Sequence, residues 1–131
     1  MRFAVLGYLD EAKWDALSPE EQQAWMDECF TYDEVLQKGG HFAGGEALAS
    51  PSQARTVRAV GSRVSVTDGP FAETKEILGG LLFLEADDLE HAVALISRHP
   101  GARVGCFEIR PLEDLTEMVR QSRERRGMRA G

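Results

Sequence analysis

The sequence predicts an α+β sandwich in which two helices lie on one face of an antiparallel sheet. Three observations predict it. Two helix-period segments each fall between β-type runs. No strand–helix alternation is long enough for a doubly wound sheet. A tight Gly-Ser turn, Gly61-Ser62, joins two alternating runs in mid-chain. The chain has 131 residues, 43% hydrophobic and 28% charged. That composition suits one domain with a continuous core and indicates neither a disordered nor a membrane protein.

Residues 2–8, Arg-Phe-Ala-Val-Leu-Gly-Tyr, form a short β-compatible run ending in an acidic turn, as a buried first strand would. Ser18-Pro19-Glu20-Glu21 then supplies an N-cap, an N1 proline and an acidic first turn, and Gly39-Gly40 supplies a stop. The spacing predicts a helix over 19–38. Its apolar residues, Trp25, Cys29, Tyr32 and Leu36 together with Met26, Phe30 and Val35, recur every three or four positions and require a sheet to pack on.

An extended segment follows from His41 to Leu48, where Gly44-Gly45 predicts a bulge or a close backbone approach. Residues 54–60 and 63–67 alternate as a hairpin, with Val57, Val64 and Val66 opposed to Arg58, Arg63 and Ser65, so one face is drier than the other. Residues 78–86 are almost continuously apolar, as in a central strand covered on both faces. Asp87-Asp88 opens a second helix over 88–98, and His99-Pro100-Gly101 ends it. Residues 103–110 alternate again up to Pro111.

The order β-α-β-(β-β)-β-α-β is that of a ferredoxin-like sandwich. Its second sheet face needs a cover, and a second copy of the chain is the economical one. Residues 1–112 make the domain. Residues 113–131 make a separable helical or flexible, basic tail holding Arg120, Arg123, Arg125, Arg126 and Arg129.

A net charge of -7 argues against a nucleic-acid partner for most of the surface, and the arginine tail is read as a solvated helix. The longest apolar stretch, 78–84, is too short for a membrane crossing. The two cysteines, Cys29 and Cys106, lie far apart without a Cys/His cluster, which fits reduced thiols in the cytoplasm and gives no metal site. No phosphate-cradling glycine loop or nucleophile elbow occurs, so no cofactor is expected.

The densest polar segment is Thr67-Asp68-Gly69-Pro70-Phe71-Ala72-Glu73-Thr74-Lys75-Glu76. Asp-Gly-Pro is turn chemistry, with the aspartate expected to bond nearby backbone amides. A loop held by a rigid sheet is also where ligands bind. Asp68 and Glu46 are the candidate carboxylates of an acid/base pair, and His41 a further candidate base near neutral pH. Glu73, Lys75, Arg110 and Phe71 are candidate substrate-binding residues, Lys75 for a carboxylate or phosphate and Phe71 as a pocket wall. The structural alternative has Asp68 capping its own turn and Glu46 pairing with Arg58 or Arg110.

The string from Val66 to Glu76, followed by Leu78-Gly79-Gly80, resembles the signature of the DGPF subgroup of YCII-related proteins. Gly44-Gly45-Glu46-Ala47-Leu48, Thr56-Val57-Arg58 and Glu108-Ile109-Arg110-Pro111 match that subgroup in the same order. The resemblance implies a dimeric α/β-barrel, in which two ferredoxin-like sheets pack face to face as a homodimer, and a cleft for a small-molecule ligand. It implies either a small acid/base enzyme acting on a polar metabolite, or a non-catalytic ligand-binding or regulatory dimer linked to sigma-factor regulation. The broader group pairs a histidine on the first helix with an aspartate before a proline after the second. This sequence departs from that pattern, with no histidine between Pro19 and Lys38 and with His99 before Pro100.

Overall fold

The computed structural model describes residues 1–128. Arg129, one of the tail arginines, lies outside the described residues. Strand β1 spans Arg2–Asp10, and a short helix α1, Glu11–Asp15, follows at once. Sequence periodicity does not reveal so short a helix. What starts it is Asp10, whose carboxylate accepts from the amides of Ala12 and Lys13 at 3.0 and 3.3 Å.

Helix α2 spans Pro19–Lys38, as the caps predict. Ser18 accepts from the Glu21 amide at 3.1 Å while the Glu21 carboxylate accepts from the Ser18 amide at 3.0 Å, a complete capping box. Strand β2, Phe42–Ala47, carries the expected irregularity between Phe42 and Gly45. Gly44 has φ of 109°, and a Cβ on Gly45 would lie 2.9 Å from the Leu81 carbonyl oxygen, so both forms of the glycine expectation hold.

Strands β3, Arg55–Val60, and β4, Arg63–Asp68, pair only with each other, from Arg55 opposite Asp68 to Val60 opposite Arg63. They form a two-stranded sheet apart from the main one. Strand β5, Glu76–Glu85, helix α3, Leu89–Ile96, and strand β6, Gly105–Pro111, complete the domain. A 3-10 turn over Pro100–Arg103 delays β6 relative to the expected start at 103. Helix α4, Thr116–Arg125, stands in the tail, with Leu115, Met118 and Val119 exposed.

The main sheet has the order β2-β5-β1-β6, every neighbouring pair antiparallel. That order, with β1-α2-β2 and β5-α3-β6 as the two crossovers, is a ferredoxin-like arrangement. Phe3 and Val5 of β1, Leu82 and Leu84 of β5, Leu36 of α2, and Ala92 and Ile96 of α3 form one buried cluster, so both helices cover the same sheet face.

Two expectations change here. Residues 78–86 are covered on one face only: Leu82 and Leu84 are buried, whereas Leu81 and Phe83 are half-buried on the helix-free face. On α2, Trp25, Cys29, Tyr32 and Leu36 turn inward, but Met26, Phe30 and Val35 are exposed. A 3.6-residue repeat cannot bring two offset apolar rows onto one flat sheet.

Candidate functional site

The residues singled out in the sequence do not converge within one chain. Asp68 ends β4 with its side chain 89% exposed, and its partner is Arg55, at 3.1 Å. It does not bond backbone amides in its turn; the turn is closed instead by the Gly69 amide on the Ala54 carbonyl and by the Thr56 hydroxyl on the Gly69 carbonyl, each at 2.8 Å. Gly69 has the positive φ, 89°, that the turn requires. Phe71, Glu73 and Lys75 are exposed on the loop that follows, and Phe71 is 79% accessible.

Glu46 lies on β2 opposite Leu81, which in turn lies opposite Leu6 and then Glu108. Three strand spacings, roughly 14 Å, therefore separate Glu46 from Glu108. Arg110 is bound to Glu108, Nε to Oε2 at 2.5 Å, and so does not hold Glu46 as the structural alternative supposed. Among the described residues no hydrogen bond or ion pair joins Glu46 to Asp68 or to Arg58. His41 sits where α2 turns into β2, its Nδ1 2.8 Å from the Glu85 carbonyl and its ring edge-on to His91 at 5.2 Å. That bond ties the strand end together.

The pairing register puts Tyr8, Leu6 and Ala4 of β1 on the helix-free face, beside Leu81 and Phe83 of β5 and beside Cys106, Glu108 and Arg110 of β6. The Cys106 thiol donates to Glu76 at 3.5 Å. Burial, that bond, and the charges of Glu76 and Glu108 all push its pKa up, which keeps the sulfur protonated.

The helical layer holds a polar pair that the sequence reading missed. His99 is only 7% exposed, and its Nε2 lies 2.9 Å from Asp33 Oδ1. Its Nδ1 accepts the Gly101 amide at 3.0 Å, so the ring proton sits on Nε2 and is donated to Asp33. Tyr32 and Phe107 close on the imidazole edge-on, at 5.4 and 4.9 Å between centroids. Trp25 Nε1 anchors the adjacent Pro100 carbonyl at 2.9 Å, and the Tyr32 hydroxyl is fixed on the Leu95 carbonyl.

The Asp33 side chain is 32% exposed, and among the described residues its Oδ2 accepts no hydrogen bond. The pair thus presents a carboxylate with one oxygen held by a locked imidazole and the other open to solvent. One turn earlier on α2, burial and then the Asp33 charge push the Cys29 thiol up to about 11, so it is not a nucleophile at neutral pH. A signal for the pair was present in the sequence. Asp33 lies four residues after Cys29, inside the inward stripe of α2, and a carboxylate there needs a buried donor.

A family model for the YCII-related domain matches residues 1–116. The chain belongs to the YCII-related family. Within it, the chain is similar to the uncharacterized protein R00369 of Rhizobium meliloti (strain 1021), with 32% identity over 114 residues, covering 86% of this chain and 92% of that protein. Among solved structures it is similar to 5-chloro-2-hydroxyhydroquinone dehydrochlorinase (TftG) from Burkholderia phenoliruptrix AC1100, in complex with 2,5-dihydroxybenzoquinone. That comparison has 15% identity and a TM-score of 0.46, covering 86% of this chain and 94% of the other. Among the described residues of this YCII-related chain, no helix is long and apolar enough to cross a membrane.

Proposed function

We propose that this YCII-related protein is a small acid/base enzyme of the DGPF subgroup, acting on a small polar metabolite as a cytoplasmic homodimer, with Asp33 as its proton-accepting group. The observation that carries the reading is the Asp33–His99 bond. In the resemblance drawn from the sequence, the broader family pairs a histidine on the first long helix with an aspartate before a proline. Here a histidine, His99, stands before Pro100, and the acid that it meets, Asp33, lies on α2, the helix that carries the family's histidine, about one turn beyond Cys29 and Phe30, which fall near that histidine's place.

In this reading Asp33 Oδ2 takes a proton from a bound substrate. His99 serves as a positioning residue: its Nε2–H fixes the carboxylate, and its Nδ1 is already committed to Gly101. The test is a thermal-shift screen of a metabolite library against wild type, Asp33→Asn and Asp68→Asn. A ligand that binds the folded state must raise its melting temperature. The expected result is a stabilising ligand lost in Asp33→Asn and retained in Asp68→Asn. Identical hit lists for wild type and Asp33→Asn would remove Asp33 from any site.

A second reading is a ligand-binding or regulatory dimer with its cleft on the helix-free sheet face. It is favoured by the half-open apolar floor of Leu6, Leu81 and Phe83 beside Glu46 and Arg110. Asp68, Phe71, Glu73 and Lys75 would then reach the cleft from the loop, and in the same screen Asp68→Asn would be the variant that loses the ligand. Residues 113–131 are read as an appendage to the domain in either case.

A further inference from the structure

The β3–β4 hairpin is built like part of a core and packed like none. Its register sets Val57 opposite Val66 and Ala59 opposite Val64, so these four side chains share one face. Thr56, Arg58, Ser65 and Thr67 occupy the other. Yet Val57, Val64 and Val66 are 61–68% exposed, because the hairpin does not pack against the main sheet or the helices. An isolated two-stranded hairpin is at best marginally stable in water, so this one needs a surface to lie on.

A matching surface is present on the same chain. The helix-free face of the main sheet has an apolar floor, Leu6, Leu81 and Phe83, that is only half-buried among the described residues. The charges are complementary as well. Residues 54–68 hold three arginines against the single carboxylate of Asp68, in a chain of net charge -7. The sheet face is bordered by Glu46, Glu76 and Glu108, and among the described residues only Glu108 has an arginine, Arg110, bound to it. Arginine stems are long enough to reach past the edge of a two-stranded ribbon.

The arm leaves the sheet after Ala47 and returns at Glu76, with Leu48 still bonded to Gly79 at 2.8 Å, so it springs from the β2 edge. Six residues of strand give it a reach of roughly 20 Å.

We infer that the hairpin is a clasp: its Val57, Ala59, Val64, Val66 face lies on the helix-free sheet face of a second copy, and the partner's hairpin returns the contact. The exchange is self-complementary, as a two-fold interface must be. It rests on the homodimer proposed above and assigns the element that holds it together.

Sedimentation equilibrium of wild type and the double variant Val64→Glu/Val66→Glu tests the clasp. Two carboxylates buried in an apolar contact should raise the dimer dissociation constant by at least about 100-fold, with the circular dichroism of the main domain unchanged. A wild-type dimer whose constant moves less than about threefold in the variant would leave the homodimer standing and overturn the clasp. A wild type that is monomeric at every concentration would overturn both.

Discussion

Strands β1 and β5 and strands β3 and β4 are both antiparallel pairs with apolar residues at alternate positions, and their fates are opposite. Phe3, Val5, Leu82 and Leu84 vanish beneath α2 and α3, whereas Val57, Val64 and Val66 stand in solvent. Alternation identifies which face of a strand is apolar. It carries no information on whether anything covers that face, because cover comes from elements distant in sequence or from another chain.

The contrast is sharpest in core truncation. Leu84→Ala should cost about 2–5 kcal/mol of unfolding free energy, since Leu84 is fully enclosed and the cavity cannot collapse. Val57→Ala, measured by urea unfolding at high dilution where copies are apart, should stay within roughly 0.5 kcal/mol. Equal costs for the two would mean that the hairpin is packed even in a single chain.

Next in size is the polar pair of the helical layer. Asp33→Ala leaves the enclosed Nε2–H of His99 without an acceptor, at an expected cost of about 1–3 kcal/mol. Asp33→Asn should cost less, because its amide oxygen can still accept that proton. Urea unfolding of the two variants checks the order, and a cheaper alanine than asparagine would show that the bond does not hold the fold.

Ser18→Ala should cost about 1 kcal/mol by opening the capping box of α2, again read from urea unfolding. The smallest effect is expected at alkaline pH. Folding moves the Cys29 thiol from its ordinary 9.0 up to about 11, so the folded chain holds this proton more tightly than the unfolded one. Stability from this group is intact below pH 9 and declines as pH rises from 9 towards 11. The thiol is half-buried, so solvent weakens the effect. Cys29→Ala should flatten that decline in unfolding curves taken between pH 8 and 10.5, and an unchanged slope would assign the decline to other groups.

Much of the fold is legible in local chemistry. Ser18-Pro19 and Gly39-Gly40 mark the ends of α2, Asp88 starts α3, Gly61-Ser62 turns the hairpin, and Gly44-Gly45 admits the irregularity of β2. Each works through groups within a few residues of one another. The short helix α1 and the 3-10 turn before β6 were not legible, since one turn has no period to read.

The candidate site is less legible. Asp68 stood out because its loop is dense in polar residues, but density along the chain is not proximity in space, and Arg55 across the hairpin holds it. Asp33 and His99 are 66 residues apart, and the local signal, a carboxylate set in the inward stripe of α2, does not tell which distant residue answers it.

What the sequence by itself determined is the order of the longer elements and the apolar positions on each, because caps, turns and side-chain periodicity act over a few bonds. The tertiary structure alone decided that His99 meets Asp33, that α2 buries one of its two apolar rows, and that the hairpin stands apart from the sheet. Those outcomes depend on how whole elements share a single core, and a core has only as much room as the sheet face beneath it.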